Sequence, residues 1–177
     1  MQRMRPRADL RFLPNLLSVS RFFLAALFVP ADRAERVVLI VVAALTDFFD
    51  GWIARRANIA SPWGALLDPI ADRAFVIVAV ATFLFSGELS IIGFFVMITR
   101  DLMTAIGFLV ARMVSWLRSV QFKARLPGKI VTVLQLLTLL VLVLEPQRLH
   151  PMLVLVAVTS AWAVVDYTAA LWRARAS

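Results

Sequence analysis

Six apolar stretches, each long enough to cross a bilayer as a helix, take up nearly all of this chain. They fall near residues 13–30, 36–57, 64–86, 89–112, 128–145 and 149–172. A hydrocarbon core of roughly 30 Å is crossed by about 20 helical residues. In that medium each backbone N–H and C=O needs a partner within the protein, which a helix supplies to itself. The 177 residues are 62% hydrophobic, whereas soluble domains sit near 45–50%. The expectation is an all-α integral membrane protein with six transmembrane helices. Length allows one domain over 1–177, including a basic N-terminal segment, 1–12.

Orientation follows from the basic residues. Arg3, Arg5, Arg7 and Arg11 precede the first span, and Arg55 and Arg56 lie between the second and third. Arg112, Arg118, Lys123, Arg125 and Lys129 lie between the fourth and fifth, and Arg173 and Arg175 follow the sixth. The opposite loops are short and mixed: Asp32, Arg33, Glu35 and Arg36, then Glu88, then Glu145, Arg148 and His150. Basic loops stay cytoplasmic, so both termini are expected on that side of an inner membrane. Pro30 and Pro146 end spans, while Ser61-Pro62 and Pro127-Gly128 mark turns. The segment from about Val114 to Pro127 sets Trp116 and Phe122 among basic residues, a pattern suited to an interfacial helix.

Composition closes off several chemistries. With no cysteine and a single histidine, His150, there is no disulfide, thiolate site or His-rich metal site. The net charge of +8 reads as cytoplasmic loops beside anionic lipid head groups, not as a nucleic-acid surface. The first apolar stretch lacks a small-residue cleavage site and carries Asn15 and Arg21, unlike a removable signal.

Against this background four aspartates stand out. Asp47 and Asp50 are followed by Gly51, Ala54 and Arg55, and then by Gly64, Asp68 and Asp72. At about 100° per residue, Asp47, Asp50, Gly51, Ala54 and Arg55 share a stripe of roughly 140° on one helix. Gly64, Asp68 and Asp72 share roughly 80° of the next. Carboxylates within a membrane are costly unless compensated. If the two helices are antiparallel neighbours, all four carboxylates face one cavity near the cytoplasmic surface. Hard divalent cations take such oxygen ligands and could bridge the phosphates of a substrate. Gly51 and Ala54 would let a ligand approach the backbone, and Arg55 can fork onto a diphosphate. Asp72, outermost of the series, suits a general base for an attacking hydroxyl. Salt bridges to Arg55, Arg56 and Arg73 would explain one aspartate more readily than four. A cation or proton pathway also uses buried carboxylates, but it has no need of Gly51, Ala54 and Arg55 at these offsets.

The pattern D-x2-D-G-x2-A-R-x8-G-x3-D-x3-D is filled at every fixed position, and it resembles the signature of the CDP-alcohol phosphatidyltransferase family. The resemblance extends to that family's six-helix membrane fold. It implies transfer of a phosphatidyl group from CDP-diacylglycerol to an alcohol, with release of CMP. It implies two Mg2+ or Mn2+ ions among Asp47, Asp50, Asp68 and Asp72, with Asp72 as the base. Gly51, Ala54, Arg55 and Gly64 would hold the cytidine diphosphate. Partners implied are membrane lipids and, as is common in the family, a second copy of the chain.

Three further segments resemble the branch of that family with glycerol-based acceptors. They are Pro14-Asn15-x2-Ser18-x2-Arg21, Arg100-Asp101 with Arg112, and Gly128-Lys129-x2-Thr132-x2-Gln135. Phosphatidylglycerophosphate synthases more often show Arg-Glu with an Arg eight residues later. Here that place holds Phe108, so the spacing to Arg112 looks closer to the CDP-dependent cardiolipin synthases. Arg100, Arg112 and Lys129 are the residues expected to attract an anionic acceptor, glycerol 3-phosphate or phosphatidylglycerol. Inositol phosphate and serine are the alternatives within the same chemistry. Arg100 lies inside an apolar run, whereas Arg112 and Lys129 also fit ordinary cytoplasmic loop charge.

Overall fold

The computed structural model describes residues 13–57, 64–113 and 126–176, all of them helix apart from short turns. The helices are α1 (Leu13–Phe28), α2 (Arg33–Ala57), α3 (Gly64–Phe85), α4 (Ile91–Met113), α5 (Leu126–Leu144) and α6 (Leu149–Ala176). Each of the six expected stretches is thus a helix, and no strand occurs among the described residues. Two helical stretches, Leu126–Leu144 and Pro146–Ala169, are long and apolar enough on their own to cross a membrane. The segment proposed to lie in the interface falls outside the described residues except for Leu126 and Pro127, which open α5.

The helix ends show why the boundaries fall where they do. α2 begins three residues earlier than hydropathy alone suggests, because Asp32 and Glu35 cap it reciprocally. The Glu35 N–H donates to Asp32 Oδ1 at 2.8 Å, and the Asp32 N–H donates to Glu35 Oε2 at 2.9 Å. Two orphan donors of the first turn are thereby satisfied. α3 ends in a left-handed residue, Gly87, with φ of 75°. Its N–H donates to Leu84 O at 3.1 Å, and the Glu88 N–H donates to Phe83 O at 3.0 Å. This is the paired closure of a Schellman turn, in which glycine avoids the Cβ penalty. α4 starts at Ile91 and not at Leu89, because Ser90 Oγ accepts from the Gly93 N–H at 3.1 Å as an N-cap. Pro127 lies in the first turn of α5, where its missing N–H costs nothing.

The chain divides after Thr82 into two compact units. In the first, α1 packs on α2. The Phe28 ring meets Phe75 of α3 edge to face at 5.6 Å, and the Arg36 guanidinium lies 5.6 Å from the Phe28 centroid. An aromatic pair of this kind contributes about 0.5–1.5 kcal/mol beyond its buried area. In the second unit α6 packs on both α5 and α4. The short Glu145–Arg148 link makes α5 and α6 antiparallel neighbours.

The distribution of polarity is that of a protein in lipid. Arg21, Arg100, Asp101, Gln135, Thr138 and Ser160 are buried, while Phe23, Val38, Val133, Val158 and Val165 are exposed. A soluble fold would not leave such apolar faces in water. Thr46, Thr82 and Thr168 each donate to the carbonyl four residues back, at 2.7–2.8 Å. A hydroxyl satisfied within its own helix places no unpaired polar group in lipid. Gly93 lets α4 approach α6: a Cβ there would lie 2.6 Å from Leu89 Cδ1 and 3.2 Å from Leu153 Cδ1. Small residues at such contacts are the usual means of packing helices in a membrane.

Candidate functional site

The aspartate series belongs to the first unit. Asp47 and Asp50 fall on the C-terminal half of α2, with Gly51, Ala54 and Arg55 on the following turns. Gly64, Asp68 and Asp72 occupy the first nine residues of α3, so the helical spacing assumed for both stripes holds. Asp47 is the one member whose side chain is described. The side chains of Asp50, Gly51, Ala54, Arg55, Gly64, Asp68 and Asp72 lie outside the described residues. Among the described residues alone, no three acidic or imidazole groups gather.

The Asp47 carboxylate is partly open, with 42% of its side chain exposed. Its Oδ1 lies 3.6 Å from Nη2 of Arg21, a residue of α1 that is itself buried. The α1–α2 contact therefore brings a fixed cation beside the first aspartate of the series. Sequence reasoning took Arg21 as part of a branch pattern and as a mark against a removable signal, and gave it no partner. The signal that marks it is a charged residue within an apolar helix, which calls for a named partner. α2 and α3 carry the four aspartates of the series and no histidine or cysteine, so a site built from them would suit Mg2+ or Mn2+ rather than a softer metal.

The basic residues proposed for the acceptor belong to the second unit and differ in setting. Lys129 is exposed at the start of α5. Arg112 is in the last turn of α4, and its side chain lies outside the described residues. Arg100 is only 5% exposed, and its Nη1 donates to Asp101 Oδ1 at 2.8 Å. Its other terminal nitrogen lies against Gly128, where any Cβ would collide with it and would stand 2.7 Å from the Tyr167 hydroxyl. A side chain at 128 would thus push Arg100 and Tyr167 aside where α4, α5 and α6 meet. Sequence reasoning noted Gln135 for its spacing alone. In the structure it is fully buried and joins the Arg100–Asp101 pair. Its signal was an amide in the middle of a strongly apolar helix.

Comparison with known proteins agrees with this architecture. The family model described as CDP-alcohol phosphatidyltransferase matches residues 11–167. Relatives named CDP-diacylglycerol–glycerol-3-phosphate 3-phosphatidyltransferase include one from Pectobacterium atrosepticum, 30% identical over 88% of this chain and 92% of its own length. Another, from Yersinia enterocolitica, is 28% identical over 91% of this chain and 95% of its own. A third, from Aquifex aeolicus, is 35% identical over 56% of this chain, and the match spans 61% of that relative. Six helices rich in apolar residues, with an aspartate series on α2 and α3, define a membrane protein of the phosphatidyltransferase class. The chain belongs to the CDP-alcohol phosphatidyltransferase family.

Proposed function

We propose that this protein transfers a phosphatidyl group from CDP-diacylglycerol to a glycerol-type acceptor, with CMP leaving, at the cytoplasmic side of the inner membrane. All six helices would span the bilayer. The observation that carries the reading is the unbroken motif, with its eight fixed residues on two consecutive helices, inside a match to the family over residues 11–167. Glycerol 3-phosphate is the acceptor in the names of the relatives, and we take it as the preferred one here.

Asp47, Asp50, Asp68 and Asp72 would hold the divalent cations, which when bound neutralise the charge of the diphosphate. Gly51, Ala54 and Gly64 leave room for the nucleotide against the backbone, and Arg55 offers a planar fork to its phosphates. Asp72 takes the proton of the acceptor hydroxyl as that oxygen bonds to the phosphorus bearing diacylglycerol. The bond from this phosphorus to the bridging oxygen breaks, and CMP departs with the electron pair. Arg100, Arg112 and Lys129 would attract the acceptor's own phosphate. The hydrophobic faces let the lipid tails of donor and product stay in the bilayer.

The test is direct. Purified protein in lipid, given CDP-diacylglycerol and Mg2+ or Mn2+, is offered glycerol 3-phosphate, phosphatidylglycerol, inositol phosphate or serine in turn. Phosphatidylglycerophosphate and equimolar CMP are expected with the first. Cardiolipin from phosphatidylglycerol would instead assign the branch suggested by the Arg100 to Arg112 spacing. If no alcohol releases CMP while the protein passes cations across proteoliposomes, the enzymatic reading is wrong.

A further inference from the structure

A polar network lies where α4, α5 and α6 meet, and a single amide ties it together. Gln135 Nε2 donates to the Met97 carbonyl at 2.6 Å and to Asp101 Oδ2 at 2.8 Å. Asp101 Oδ1 in turn accepts from Arg100 Nη1 at 2.8 Å. One carboxylate oxygen thus has a donor on its own helix and the other a donor from α5, and the guanidinium is held from one side. Nη2 lies against Gly128, and the Tyr167 hydroxyl lies close to the same backbone position. Arg100 Nε is buried and has no hydrogen-bond partner among the described residues. Nε is closed off even from water, so an acceptor group would have to meet the guanidinium at Nη2, the terminal nitrogen that Asp101 leaves unbonded.

The charge logic narrows what that acceptor is. Asp101 cancels the net charge of Arg100, so the pair offers direction more than field. A guanidinium locked in one rotamer loses little freedom on meeting an oxyanion, and its hydrogen bonds are charge-assisted. Gln135 never needs to touch the ligand. Its part is to keep the carboxylate from rotating, and so to keep the guanidinium from following it.

We infer that Gln135 is a positioning residue for the acceptor: through Asp101 it fixes Arg100 to receive the phosphate of a phosphorylated polyol. This rests on the reading of Arg100 as an acceptor-binding residue, and the experiment separates the two. Steady-state kinetics on the full chain in lipid nanodiscs would vary CDP-diacylglycerol and glycerol 3-phosphate independently. Gln135→Met keeps the volume and removes both donated bonds. It should raise KM for glycerol 3-phosphate about tenfold, the equivalent of one charge-assisted hydrogen bond. Both kcat and KM for the donor should stay within about threefold, as expected when binding alone is lost. If the Met variant does not fold, the isosteric Gln135→Glu, which sets a carboxylate against Asp101, should give the same split.

Arg100→Lys is the control. If it raises the acceptor KM while the Gln135 variants leave it within about twofold, the positioning role is refuted and the Arg100 reading stands. If Arg100→Lys leaves the acceptor KM unmoved, the Arg100 reading fails and the inference falls with it. A uniform loss of kcat and melting temperature in the Gln135 variants, with no change in either KM, would make the network a structural clamp and overturn the proposal.

Discussion

Asp72→Asn is expected to lower kcat about a thousandfold, with the protein still folded and inserted in the membrane. The substitution keeps the shape of the side chain and removes both its charge and its ability to take a proton. Asp72 is two turns into α3, on the stripe it shares with Gly64 and Asp68. Loss of a positioned general base costs about 10²–10⁴ in rate, and a metal ligand lost with it adds to that. Because the residue lies near the start of a helix whose buried residues Phe75, Val76, Ala79, Val80 and Phe83 come later, the packing of α3 should survive. Thermal melting followed by tryptophan fluorescence should therefore match that of the wild type. Turnover within tenfold of wild type would remove Asp72 from the role of base.

The second large effect is removal of divalent metal. Chelation should bring transfer to background, and added Mg2+ or Mn2+ should restore it in full. Phosphoryl transfer depends on charge neutralisation and alignment more than on covalent help from the protein. At the proposed site Arg55 alone would not offset a diphosphate among four carboxylates. Reversibility matters here, since a protein that merely unfolds without metal would not recover on re-addition. Full activity in the presence of chelator would refute the ion-dependent mechanism.

Much of the fold was legible in the sequence. Hydropathy placed every helix to within a few residues, because each long apolar run closes its own backbone hydrogen bonds as a helix and stops near a turn or breaker residue. The errors were at the ends, where local capping decides. Asp32 and Glu35 extend α2 backward through two hydrogen bonds that hydropathy does not register. The two helices that carry the aspartates were readable as well, and on them helical periodicity puts i, i+3 and i+4 residues on one face.

Long-range polar contacts were not readable. Nothing local says that Arg21 of α1 lies beside Asp47 of α2, 26 positions on. Nor does spacing reveal that Gln135 reaches back 34 residues to Asp101. Both could be suspected, since a polar side chain in an apolar helix seeks a partner, but only packing names which one. The same limit applies to Gly128: its motif position was visible, while the reason for it is the approach of Arg100 and Tyr167 from two other helices.

The central claim is that the carboxylates of α2 and α3 bind metal together. Electron paramagnetic resonance of Mn2+ titrated into the purified protein in nanodiscs tests it most directly, without relying on turnover. Two bound ions per chain are predicted for the wild type, with affinity falling sharply in Asp50→Asn and Asp68→Asn alike. Equal Mn2+ binding after both substitutions, or loss in one helix's variant with none in the other's, would contradict a shared site.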